Sequence, residues 1–72
     1  MVYFKYGKAF HDLRIQHGFS LSAFEELGIA KSTLSNFENG KSMLSFDRLD
    51  FALQKMNVSP LDYSLMINNG EQ

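Results

Sequence analysis

Few side chains in this 72-residue sequence have the types and spacing that chemistry needs. His11 and His17 are the groups that change charge near neutrality, but His11 and Asp12 are sequence neighbours and point to different sides of a helix. They make no base with an orienting carboxylate. His17 reads as a cation at a helix C-terminus or a half-buried core histidine. The sequence has no cysteine, no His/Cys/Asp cluster at metal-ligand spacing and no glycine-rich phosphate loop, so no catalysis and no cofactor are expected. A different chemistry is written between Gly28 and Gly40, GIAKSTLSNFENG. There Lys31, Ser32, Ser35, Asn36 and Asn39 share one side of a helical pattern, and Leu34 and Phe37 share the other. Short donor/acceptor side chains beside a cation, close to a helix axis, suit base edges and phosphates.

Such a face needs a scaffold of other helices. A first helical pattern runs from Gly7 to His17 with Phe10, Leu13, Arg14 and His17 on one side, and Gly18 stops it. Arg14 on an apolar stripe would be costly without an anion opposite. Met1 to Tyr6 is aromatic-rich and reads as a hydrophobic flap over the core, with a short arm or a helical lead-in as the alternatives. Phe19 to Leu27 forms a second, short helix capped by Ser20, or by Ser22 with Glu25 as a capping box, and turns Leu21, Phe24 and Leu27 inward. Gly28-Ile29-Ala30 then links it tightly to the polar-faced segment, and two helices joined by such a turn form a helix-turn-helix. After the loop KSMLS, Ser45 caps a fourth helix with Asp47 in its first turn. Its stripe is Phe46, Leu49, Ala52, Leu53 and Met56, and Asn57 ends it. Ser59-Pro60-Leu61-Asp62 opens a fifth helix, with serine at the cap, proline first and an acid third. That helix carries Leu61, Leu65 and Met66 and dissolves at Asn68-Asn69-Gly70. The expectation is an all-α, compact five-helix bundle, with residues 1–68 as one domain, a helix-turn-helix core at about 20–39, and 69–72 as linker or frayed end.

Composition bounds the rest. Apolar residues make up 44% of the chain, and seven Phe with three Tyr bury much surface per residue. The four methionines read as core fillers. No apolar run reaches membrane-spanning length, and no signal-peptide pattern is evident, so a cytoplasmic protein is expected. Net charge is −1, which counts against nucleic acid, yet residues 1–41 hold five cations and four anions against two and four in residues 42–72. The mildly basic half contains the polar-faced segment.

The order of three segments, LRIQHGFS (Leu13–Ser20), LGIAKSTLSNFENGKS (Leu27–Ser42) and SFDRLDFALQKMNVSP (Ser45–Pro60), resembles the phage-repressor and Cro type of helix-turn-helix domain, also called the XRE family. The resemblance covers most of residues 13–60 and implies a lambda-repressor-like fold. FENGKS and LDYSLMINNG are most similar to the N-terminal DNA-binding domain of Rgg/MutR-type transcriptional regulators. By that resemblance a peptide ligand is expected only if a longer form carries a C-terminal sensory domain.

The family implies sequence-specific binding of double-stranded DNA in transcriptional regulation. It assigns Lys31, Ser32 and Asn36 of the recognition helix (about Lys31–Asn39) to base edges in the major groove, and Ser20, Ser22, Ser35, Asn39 and Lys41 to the phosphate backbone. It also makes Arg14 and Glu38 a structural salt bridge. Leu21 stands where many members have a base-reading glutamine, and Asn36 where Rgg-like proteins often have arginine. A homodimer is expected on a two-fold operator, with half-sites about 34 Å apart or a multiple of that. Tyr63, Leu65, Met66 and Ile67 are the apolar surface left for its interface. The alternative is a protein–protein interaction module that keeps the fold without DNA binding.

Overall fold

A computed structural model describes residues 4–69, and every described element is helical. Helix α1 (Phe4–Gln16) is followed by a 3₁₀ helix (Leu21–Leu27), then α2 (Lys31–Glu38), α3 (Phe46–Lys55) and α4 (Pro60–Asn69). The expected flap lies partly outside the described residues. Its end, from Phe4, is the start of α1, three residues before the predicted beginning at Gly7.

Gly7 explains why. Glycine weakens a helix interior by about 1 kcal/mol, which makes it look like a boundary. Here it is buried, and a Cβ added to it would lie 1.9 Å from the Phe37 carbonyl oxygen and 2.9 Å from the Glu38 Cα. The missing side chain lets α1 cross the end of α2 backbone to backbone. One turn further on, Phe10 packs its ring against Phe24 and Phe37, both at 5.7 Å between centroids, and Phe19 meets Phe24 at 5.8 Å. Phe10, Phe24, Phe37, Ile29 and Leu34 are all fully buried. Aromatic rings tilted edge to face at these separations add roughly 0.5–1.5 kcal/mol per pair beyond area burial.

The second helix is of the 3₁₀ type. Its inward residues Leu21, Phe24 and Leu27 recur every third position, and three residues per turn stacks them on one line. Ser20 sits at its N-cap position but makes no side-chain cap. Its hydroxyl pairs with that of Ser22 at 3.2 Å instead, so neither serine forms the predicted capping box. Gly28 closes the element with φ +81°, its N–H donating to the Glu25 carbonyl, and nothing crowds a Cβ there. The dihedral angle alone asks for glycine. Ile29 then plugs the angle beneath the turn.

Two predicted stripes are corrected. Phe46, at the first position of α3, is 74% exposed, and the preceding loop supplies Leu44 to the core instead. Leu49, Ala52, Leu53 and Met56 do face inward. Asp47 in that first turn is held below the usual carboxylate range, chiefly by the Ser45 hydroxyl and then by the Arg48 backbone N–H. On α4 the inward pair is Tyr63 and Ile67, whereas Leu61 and Leu65 are exposed and Met66 is half-buried. The Tyr63 hydroxyl donates to the Tyr6 carbonyl of α1, and burial pushes that phenol well above its usual range. Tyr63 and Ile67 therefore belong to the core and are not free for an interface. The α4 start follows its sequence signal: the Asp62 N–H donates to the Ser59 hydroxyl at 3.1 Å, directly before Pro60.

Candidate nucleic-acid interface

Helix α2 divides into two sides. Leu34 and Phe37 are buried, while Lys31, Ser32 and Asn36 are exposed and Ser35 is half-buried. Asn36 lies five positions after Lys31, about 7.5 Å along the helix axis. Asn39, one position past the helix, is exposed, and Lys41 follows exposed in the turn. The Asn39 amide donates back to the Ser35 carbonyl at 2.9 Å and approaches the Ser35 hydroxyl at 3.4 Å. It locks the last turn and leaves its carbonyl oxygen without a protein partner among these contacts. Ser20 and Ser22 lie exposed ahead of and within the first turn of the 3₁₀ helix.

Behind this face sits an ion pair. Arg14 Nε donates to Glu38 Oε2 at 2.7 Å and Nη2 to Oε1 at 2.9 Å, a two-pronged contact between side chains only 10% and 6% exposed. Arg14 Nη1 donates further to the Phe19 carbonyl at 2.9 Å. One guanidinium thus joins α1, the entry to the 3₁₀ helix and the last residue of α2. Among the described residues no buried side-chain polar atom lacks a partner. Removing one member of such a pair leaves the other charged and buried, at a cost of roughly 3–5 kcal/mol.

Sequence reasoning missed a third member. His11 Nδ1 lies 2.8 Å from Glu38 Oε1 and 3.2 Å from Arg14 Nη2. The signal was available, since His11 precedes Arg14 by three positions and so shares its side of α1. His17, placed on the apolar stripe by spacing, is instead exposed just beyond the helix. Among the described residues no group of three His, Cys, Asp or Glu could hold a metal ion, and no helix is long and apolar enough to cross a membrane.

A short helical turn ahead of a polar-faced helix, locked from behind by an ion pair, defines a helix-turn-helix domain. Residues 10–63 match the family model described as "Helix-turn-helix", and the chain belongs to that family, in its XRE branch, a class of DNA-binding regulatory domains rather than of enzymes. Among curated proteins it is similar to "Antitoxin PezA" of Streptococcus pneumoniae, 39% identical over 57 residues, which are 78% of this chain and 36% of that protein. The chain therefore spans little more than a third of the length of this relative. No solved structure matches it significantly.

Proposed function

We propose that the chain is a sequence-specific double-stranded DNA-binding domain in transcriptional regulation that lays α2 in the major groove. The observation that carries this reading is the exposed row Lys31, Ser32 and Asn36 on a helix whose opposite side is fully buried. Lysine donates to guanine O6 and N7, asparagine pairs two-pronged with adenine, and serine bonds to several bases. Ser20, Ser22, Ser35, Asn39 and Lys41 flank that row as backbone contacts. Among these five Lys41 supplies the positive charge, and the Asn39 amide is engaged with the Ser35 carbonyl.

One eight-residue helix makes few contacts, so the working species is a homodimer in the cytoplasm. With Tyr63 and Ile67 in the core, its apolar face is Leu61 and Leu65, one turn apart on α4 and 68% and 51% exposed. Sedimentation should give a concentration-dependent mass that L61D/L65D reduces to a monomer; an unchanged mass would remove α4 from the interface. Neither the Rgg-like resemblance nor a sensory peptide is needed for this reading.

The test is retardation of a duplex taken from upstream of the protein's own reading frame. Binding is expected to fall steeply between 50 and 200 mM salt, by about tenfold or more for several phosphate contacts. A protein–protein interaction module is the second reading, favoured by the net charge of −1 and by a relative that bears the name antitoxin. Absence of any retardation at low salt would favour it over DNA binding.

A further inference from the structure

A cleft of about 220 Å³ lies between the first half of α1 and the end of α2, lined by Phe4, Lys8, His11, Glu38 and Asn39. It continues the proposed DNA face, because Asn39 forms part of its wall. Its fixed charges cancel. Glu38 is matched by Arg14 from behind, and Lys8 by Asp12 one turn along α1 at 3.5 Å. From α2 the remaining contributions are the neutral Asn39 and the partial negative charge of the helix C-terminus. The net charge of the cleft is therefore decided by His11, whose side chain is 47% exposed.

His11 Nδ1 stands between a carboxylate that only accepts, Glu38 Oε1 at 2.8 Å, and a guanidinium that only donates, Arg14 Nη2 at 3.2 Å. The doubly protonated ring donates from Nδ1 to Glu38, offers an N–H at Nε2 and gives the cleft one positive charge.

We infer that this cleft is a second backbone site, in which protonated His11, with Lys8 beside it, binds a DNA phosphate, so that the domain grips DNA more tightly as pH falls. The inference rests on the DNA-binding reading above. Phosphate contacts carry no sequence information, so a random-sequence duplex should show the effect as well as the upstream one.

The experiment measures the salt dependence of binding to both duplexes at pH 6 and pH 8, for the wild type, His11→Gln and His11→Lys. His17 is present in all three proteins, so their differences isolate His11. Thermal unfolding at both pH values checks that each is folded. One added phosphate contact steepens the log–log salt slope by about 0.9. The wild type should show that steepening at pH 6 relative to pH 8, His11→Gln should show none, and His11→Lys should keep the steep slope at both. A His11→Gln protein that retains the pH difference, or a His11→Lys protein no steeper than the glutamine variant at pH 8, overturns the site while DNA binding stands. Absence of binding to either duplex at both pH values overturns the DNA reading and this inference together.

Discussion

Arg14 does more for this domain than a single ion pair would. Its three donors reach the Glu38 carboxylate twice and the Phe19 carbonyl once, so the angle between α1, the turn and α2 is set by one planar group. Lysine cannot reproduce that geometry, having a point charge on a flexible stem. Arg14→Lys is expected to lower unfolding free energy, and Arg14→Ala to lower it by roughly 3–5 kcal/mol, in denaturant titrations. Loss of less than about 1 kcal/mol on Arg14→Ala would mean that the pair is solvated like an ordinary surface bridge. The arginine was legible in the sequence as a charge on an apolar stripe that needed an anion. His11, three positions ahead, was legible as sharing the side of Arg14 but not as a partner of Glu38, a carboxylate 27 positions on that only the packing of α1 against α2 brings within reach.

Elements were legible where local chemistry decides them and obscure where packing does. Ser59, Pro60 and Asp62 announce α4 because capping involves atoms within one turn, and the Ser59 hydroxyl is found on the Asp62 N–H. Phe46 and Leu61 were misplaced for the opposite reason. Helical spacing says which residues share a side, but whether a neighbour covers that side depends on the fold. The same holds for Tyr63, which can be buried at little cost because the Tyr6 carbonyl receives its hydroxyl. Gly7 is the sharpest case: it reads as a helix boundary and serves as a helix crossing. Gly7→Ala improves helix propensity by about 1 kcal/mol, so an isolated α1 would gain from it. In the folded domain the new methyl meets the Phe37 carbonyl at 1.9 Å, and the two helices must move apart. We expect a net loss of about 1–3 kcal/mol by thermal unfolding, typical of overpacking. A stabilised variant would show that the crossing is looser than the structure has it.

For the whole molecule, the buried core and the residues proposed to read DNA occupy separate sides. Three phenylalanines, Ile29, Leu34 and the Arg14–Glu38 pair hold α2 from within, and the residues proposed to read DNA contribute little to that core. The division was visible in the sequence as the alternation of Leu34 and Phe37 with Lys31, Ser32 and Asn36. Which apolar residues of α4 the fold buries was not, since Leu61, Tyr63, Leu65, Met66 and Ile67 are more than one inward stripe can use. Affinity should come mainly from phosphate contacts and specificity from the outer side of α2. The most direct test titrates the upstream duplex into the wild type and into a Lys31→Ala/Asn36→Ala variant, with the thermal transition of each recorded. Specific binding should disappear in the variant while residual non-specific binding remains, and the midpoint of unfolding should move by no more than a degree or two. Unimpaired specific binding, or a protein that melts many degrees lower, would contradict the assignment of that face to DNA.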